Sequence, residues 1–140
     1  MTLATPKPGL VIHYSYLWWQ EHRDGREEGS KDRPCAVVLT TEEDEGGVRV
    51  TVVPITHMPP ALPDDGIEIP RSVKERLGLD HERSWIVVTE VNRFLWPGPD
   101  LRPVPRSAPA RFEHGYLPPR LYEALRVRII ERLRRAVPRE

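Results

Sequence analysis

Residues 34–56 read PCAVVLTTEEDEGGVRVTVVPIT and decide the fold. The run 34–40 is short, apolar and rich in β-branched residues, which is typical of a strand buried on both faces. Residues 42–47 favour a turn, because their four carboxylates repel one another and glycine can adopt the positive φ that many turns need. Residues 48–56 then return as the partner strand of a hairpin. Pro54 lacks an N–H group, so we expect it near a strand end or at an edge.

Further short strands are predicted on both sides of this hairpin. Their segments are apolar or alternate in polarity, and they run over residues 10–16, 67–69 and 84–90. Residues 70–77 favour one or two helical turns, because proline suits a helix start and Gly78 stands just past the end. We therefore expect a mostly β (α+β) fold, with four or five strands in a small barrel-like antiparallel sheet.

The last third of the chain divides into a loop and a helix. Residues 96–118 begin with a proline-dense stretch and are predicted to form an extended loop. Residues 119–136 are predicted to form the C-terminal helix, because apolar residues recur there every four positions. We expect one domain over residues 1–140, with the barrel at about residues 8–95.

Composition limits the class of protein. Hydrophobic residues make up 39% and charged residues 30%, which is typical of a globular domain. No stretch approaches the ~20 apolar residues that a membrane span needs, and the N-terminus lacks the pattern of an export signal. The single cysteine, Cys35, fits a reducing compartment. The sequence therefore predicts a cytoplasmic protein without membrane association.

Charge is unevenly distributed although it sums to zero. Residues 1–100 carry 11 Lys and Arg against 17 Asp and Glu, whereas residues 101–140 carry 10 against 4. This asymmetry permits a local basic surface or charge-complementary self-association, and a solvated helix face is the simpler interpretation. The five histidines lack zinc spacing, and the chain has no phosphate loop, nucleophile elbow or cofactor motif. We expect neither a metal nor a cofactor.

Three segments, in this order, resemble the PemK/MazF toxin family. Residues 8–12 (PGLVI) with 28–38 (EGSKDRPCAVV) are similar to the family's first strand, its glycine-bearing loop and the Arg-Pro entry to a hydrophobic strand. Residues 50–56 (VTVVPIT) are similar to the strand that ends in the family's catalytic threonine. Residues 67–94 resemble the later strand pair.

This resemblance implies an SH3-like barrel with a C-terminal helix. It also implies a metal-independent endoribonuclease that cuts single-stranded RNA, such as mRNA, to 2′,3′-cyclic phosphate and 5′-hydroxyl ends. The expected partners are a second copy of the chain, in a homodimer, and a cognate antitoxin protein whose tail fills the RNA groove.

Arg33 and Thr56 are the candidate catalytic residues. The planar, permanently charged guanidinium of Arg33 matches two oxygens of the phosphorane that forms when a 2′-hydroxyl attacks phosphorus. The resemblance implies a catalytic role for Arg33, and it gives the Thr56 hydroxyl the role of donating to a phosphate oxygen. The alternative interpretations are a surface arginine paired with Asp32 or Glu28 and an ordinary strand threonine.

Loop residues before the hairpin are candidate RNA contacts. Ser30 and Lys31 are placed to reach phosphate or sugar, and a solvated loop is the alternative. Trp18 is a candidate for base stacking. Because Trp18 and Trp19 are adjacent on an extended chain, at most one of them would stack, and packing in the core or a dimer is the alternative for both.

His57 is a candidate RNA contact and an auxiliary acid or base, because histidine titrates near neutrality. His13 has the same chemistry without a motif. No residue of the sequence stands out as the general base.

Two other functions suit the same fold. One is a non-catalytic binding module, and the other is a gyrase-poison-like protein of the CcdB type. The pairing of Arg33 with Thr56 favours the nuclease, because a gyrase poison relies instead on its terminal helix.

Overall fold

The computed structural model describes residues 5–20, 25 and 31–135. Its strands are β1 (Leu10–Tyr14), β2 (Arg33–Glu42), β3 (Val48–Thr56), β4 (Gly66–Glu68), β5 (Trp85–Val87), β6 (Asn92–Leu95) and β7 (Glu113–Tyr116). Its helices are the short α1 (Arg71–Arg76) and the long α2 (Pro119–Arg135), and one 3-10 turn spans Pro63–Asp65. No helix within these ranges is long and apolar enough to cross a membrane.

The strands form an antiparallel sheet in the order β4-β5-β3-β2-β1-β7, with β6 also paired to β3. Strands β4 and β7 end this path without pairing to each other, so the strands that the structure describes form an open sheet. The predicted mostly β architecture with a C-terminal helix is confirmed. The described residues contain seven strands rather than four or five, because several of them are only three or four residues long.

Strand β3 is the centre of the sheet. One of its edges pairs with β2, whereas the other edge pairs first with β6, up to Val52, and then with β5, from Ile55. Pro54 lies between these two ladders and two residues before the strand end. This position suits a residue that has no N–H to donate, and the prediction for Pro54 is confirmed.

Strand β2 carries a β-bulge at Val38. Its neighbours Val37 and Leu39 pair with two successive residues of β3, so β2 holds one extra residue between them. The carbonyl of Val38 is satisfied from outside the sheet, because the Tyr122 hydroxyl of α2 donates to it at 3.2 Å. The bulge is therefore tied to the helix that packs beside it.

Apolar side chains on both faces of the sheet form two cores. Core 1 consists of Val11, Ala36, Val53, Ile55, Ile69, Val73, Leu77, Ile86, Val88, Leu117 and Leu125. Core 2 consists of Leu10, Ile12, Tyr14, Tyr16, Cys35, Val37, Val50, Val52, Phe94 and Leu101. Neighbours along β1 and β2 alternate between the two cores, as expected for strands buried on both faces. Helices α1 and α2 bury Val73 and Leu125 in core 1.

The prediction of a loop over residues 96–118 is wrong at Glu113–Tyr116, which form strand β7. The sequence of β7, EHGY, has no apolar alternation, and none of its residues is buried. It is a strand because it pairs with the outer edge of β1, whose backbone N–H and C=O groups need partners. The sheet consequently extends beyond the predicted limit of residue 95.

The other predicted elements differ from the structure mainly in length. The strand expected at 10–16 ends at Tyr14, and the strand expected at 84–90 is reduced to Trp85–Val87. The C-terminal helix is confirmed over Pro119–Arg135, and its predicted last residue, Ala136, lies outside the described residues.

Candidate functional site

Arg33 and Thr56 meet at one end of the central hairpin. Cys35 of β2 lies opposite Pro54 of β3, and Arg33 and Thr56 stand two residues further along their strands. Side chains two residues apart on a strand share a face. The hairpin register therefore brings Arg33 and Thr56 to the same side of the sheet, where β2 begins and β3 ends.

Two cavities flank this pair. Four residues line both of them: Lys31, Arg33, Thr56 and His57. The first, called the histidine cavity, has a volume of about 470 Å³ and is also lined by His13 and His114. The second, called the proline cavity, has a volume of about 570 Å³ and is lined further by Trp18 and residues 58–61. The structure thus brings together the candidate residues Trp18, Lys31, Arg33, Thr56 and His57. The remaining candidate, Ser30, lies outside the described residues.

Arg33 is held against Trp18. The guanidinium carbon lies over the Trp18 ring, 5.0 Å from its centroid, and the residue is only 9% exposed. Trp18 in turn meets Tyr16 edge-on, with ring centroids 5.3 Å apart. The contact fixes the position of the guanidinium and covers one face of the Trp18 ring. The face of Trp18 under Arg33 therefore cannot serve the stacking role predicted from the sequence.

His57 is anchored by charged residues from the segment after α1. Its Nε2 lies 2.6 Å from Asp80 Oδ2, and its Nδ1 lies 3.5 Å from Glu82 Oε2. Lys74, whose side chain is 5% exposed, donates from Nζ to Asp80 Oδ1 at 2.6 Å and also to the backbone carbonyl of Glu82. Burial opposes the charge on Asp80, but Lys74 and His57 favour it, and the pKa of Asp80 lies below its usual value.

Asp80 and Glu82 are also residues of the kind that can bind a metal ion together with a histidine. In the part of the chain that the structure describes, His57, Asp80 and Glu82 form the one group whose ligand atoms lie close enough to surround an ion, all within 4.8 Å. The Lys74 ammonium already binds Asp80, so a divalent cation would face its positive charge at short range. This arrangement fits an ion-pair network that orients His57 better than it fits a metal centre.

A pair of histidines lines the histidine cavity from β1 and β7. His13 Nδ1 and His114 Nε2 are 3.3 Å apart, with the two rings edge-on. Burial, together with the neighbouring His13, lowers the pKa of His114 to about 4. Burial also lowers the pKa of His13, although Asp32 opposes this shift. Both imidazoles are therefore neutral near pH 7, with one ring nitrogen donating to the other.

The histidine pair predicts an acid-sensitive fold. An unfolded histidine has a pKa of about 6.5, whereas folded His114 has a pKa of about 4. Between these two pH values the unfolded chain is protonated at position 114 and the folded chain is not. The free energy of unfolding is expected to fall as the pH decreases from about 6.5 to about 4, by up to about 3 kcal/mol. His13 adds to the loss in the same direction.

Urea unfolding at several pH values between 7 and 4 measures this loss, with His114→Gln as the comparison. The variant cannot take up the proton and should lose less stability across this window. The lowered pKa of Asp80 places its titration below the window, so that carboxylate contributes little there. An equal slope in both proteins would contradict the role given to His114.

Sequence reasoning missed several residues of the site. His114, Asp80 and Lys74 reach it through pairing or packing of segments far apart in the chain, and no spacing rule marks them. Arg106 also lines the histidine cavity, in a left-handed backbone conformation with φ of 63°. Such a conformation is strained for a residue with a Cβ and often accompanies a functional position.

Comparisons of the chain with protein-family models, with curated proteins and with solved structures find no match. The site is therefore interpreted through its own chemistry. It combines cationic side chains, a threonine hydroxyl and three histidines around one cavity.

Proposed function

We propose that this protein is a cytoplasmic, metal-independent endoribonuclease of the PemK/MazF toxin type. It cuts single-stranded RNA to 2′,3′-cyclic phosphate and 5′-hydroxyl ends, and a cognate antitoxin neutralises it. In this proposal the antiparallel sheet is a variant of the SH3-like barrel, and the active form is a homodimer.

The observation that carries the proposal is the convergence of Lys31, Arg33, Thr56 and His57 at the junction of two cavities. A phosphodiester at this junction meets fixed positive charge, which stabilises the phosphorane more than the ground state. Arg106 adds a further cation on the side of the histidine cavity. Recognition of a phosphate by arginine and lysine is the common chemistry of nucleic-acid binding.

The hydrogen bonding of Thr56 suits the role of a donor. Its Oγ1 accepts a hydrogen bond from the backbone N–H of Met58 at 3.2 Å. The hydroxyl proton then points away from this N–H and is available to a phosphate oxygen. Thr56 is half-buried at the end of β3, so its hydroxyl reaches the cavities while the strand fixes its position.

The Trp18 contact keeps a binding module as a second candidate. An arginine that is 9% exposed, with its guanidinium stacked on an indole, is well placed to hold an anionic ligand without reacting with it. Both functions predict RNA binding at this junction, and only the nuclease predicts new chain ends.

The discriminating experiment is incubation of the purified protein with several long RNAs in EDTA. The expected result is a set of defined fragments that end in 2′,3′-cyclic phosphate, identified by mass spectrometry of the products. Arg33→Met, purified in the same way, controls for contaminating ribonuclease and should leave the RNA intact. Uncut RNA that is nevertheless retained by the wild-type protein would instead establish the binding module.

A further inference from the structure

The histidine cavity holds two imidazoles in opposite surroundings. His13 faces another histidine, whereas His57 faces two carboxylates. We propose that His13 is the general base and His57 the general acid of RNA cleavage at this site. This assignment rests on the proposed nuclease function, and it supplies the proton transfers that an arginine and a threonine cannot perform near neutral pH.

His13 has the position and the protonation state of a base. It lies opposite Pro34, the residue after Arg33, in the pairing of β1 with β2, and it lines the histidine cavity together with Arg33 and Thr56. Its Nδ1 is engaged with His114 Nε2 at 3.3 Å, which leaves Nε2 as the ring atom for a substrate. Burial keeps the ring neutral near pH 7 even though Asp32 opposes this effect. When Nδ1 donates to His114, the lone pair of Nε2 can accept a proton.

His57 has the contacts of an acid. Both of its ring nitrogens face carboxylate oxygens, so an N–H group on either nitrogen would be directed at an acceptor. The contact with Asp80 is short, and Lys74 fixes that carboxylate from its other oxygen. The contact with Glu82 is long at 3.5 Å, and the Glu82 side chain is 74% exposed. The Glu82 side chain can therefore move aside, so that an Nδ1–H group faces the leaving oxygen of a bound RNA.

The reaction balances with these two groups alone. His13 Nε2 takes the proton of the 2′-hydroxyl as the 2′-oxygen attacks phosphorus. The bond from phosphorus to the 5′-oxygen then breaks, and His57 Nδ1 gives its proton to that oxygen. The products are a 2′,3′-cyclic phosphate and a 5′-hydroxyl, and the enzyme is left with one proton moved from His57 to His13. Exchange with solvent restores the starting state.

Replacing the leaving oxygen by sulfur separates the two roles. A thiolate departs without protonation, so an RNA with a 5′-sulfur at the cleaved linkage needs the base and not the acid. The experiment compares the wild-type protein with His13→Gln, His57→Gln and His81→Gln on ordinary and sulfur-substituted RNA. His81 is exposed and is not among the residues lining the histidine cavity, so His81→Gln is the matched control.

On ordinary RNA we expect His13→Gln and His57→Gln each to be about 10²- to 10⁴-fold slower than the wild type, with the control unchanged. On the sulfur-substituted RNA we expect His57→Gln to recover to within about tenfold of the wild type, while His13→Gln stays at least about 10²-fold slower. Urea unfolding of each variant verifies the fold. Asp80→Asn, which removes the anchor of His57, and His13→Asn are tested in the same way as second variants.

Three results would overturn the assignment. The first is a wild-type rate on ordinary RNA for either variant, and the second is equal recovery of both variants on sulfur-substituted RNA. The third is that the cleavage rates of His57→Gln and Asp80→Asn do not recover on the sulfur-substituted RNA. A wild-type protein that cuts neither RNA would reject the nuclease function itself and the assignment with it.

Discussion

An Arg33→Lys protein is expected to cleave RNA about 10²- to 10³-fold more slowly than the wild type, while remaining folded. Lysine keeps the positive charge but replaces a planar fork of donors by a single ammonium group, so it cannot bind two phosphorane oxygens side by side. The ammonium can still lie over the Trp18 ring, which preserves most of the cation–π contact that Arg33 makes. The loss should therefore be in rate rather than in stability.

Initial rates at one cleaved linkage, measured in EDTA, test this expectation. Arg120→Lys is the matched control, because Arg120 is an exposed arginine near the start of α2. The control should cut at the wild-type rate. An Arg33→Lys protein with wild-type rate and wild-type stability would remove Arg33 from the catalytic machinery, whereas an unfolded one would make it a structural residue.

Leu125→Ala is expected to lower the free energy of unfolding by about 2–5 kcal/mol. Leu125 is fully buried and is the α2 residue that belongs to core 1, while Leu121, Tyr122 and Ile129 pack against that core. Truncation removes apolar contact and leaves a cavity that a sheet on one side and a helix on the other cannot easily fill. The loss is a large part of the stability of a domain of this size.

Urea unfolding at pH 7 measures the change, with Val127→Ala as the control on the same helix. Val127 is 41% exposed, and alanine is the better helix former, so the control should change stability by less than about 1 kcal/mol. Equal shifts in the two urea midpoints would mean that α2 is not held by core 1. Because Leu125 lines neither cavity, the folded fraction of Leu125→Ala should cut RNA at the wild-type rate.

The fold was predictable where its causes are local. The hairpin over residues 34–56 combines β-branched runs with an acidic, glycine-bearing turn, and α2 combines a four-residue apolar period with a proline start. Strand β7 was not predictable, because its pairing depends on the free edge of β1, which lies about 100 residues earlier in the chain. The order of the strands in the sheet likewise depends on which short strands pair with each other, and the apolar pattern of a strand does not specify its partner.

Some residues of the candidate site were predictable from the sequence and others were not. Arg33 and Thr56 were predictable as neighbours only through the family resemblance, because the register counted from the turn, where Glu42 lies opposite Val48, would place Arg33 opposite His57. The surroundings of His57 were not, because Asp80 and Lys74 come from a helix and loop that tertiary packing brings back to β3. His114 belongs to the unpredicted strand β7. The sequence therefore indicated Arg33, Thr56, His57 and His13 as candidates, but it did not indicate the residues that hold the two histidines in place.

The bulge at Val38 bears on which changes of chain length the hairpin tolerates. It separates a block that holds Arg33 opposite Thr56 from a second block that ends at the turn. A one-residue slip of a continuous ladder would move Thr56 to the opposite face of the sheet. Counted from the turn, where Glu42 lies opposite Val48, the register would place Arg33 opposite His57, and the extra residue at Val38 changes this partner to Thr56. Loss of that one residue would therefore separate Arg33 from Thr56 even with the turn unchanged.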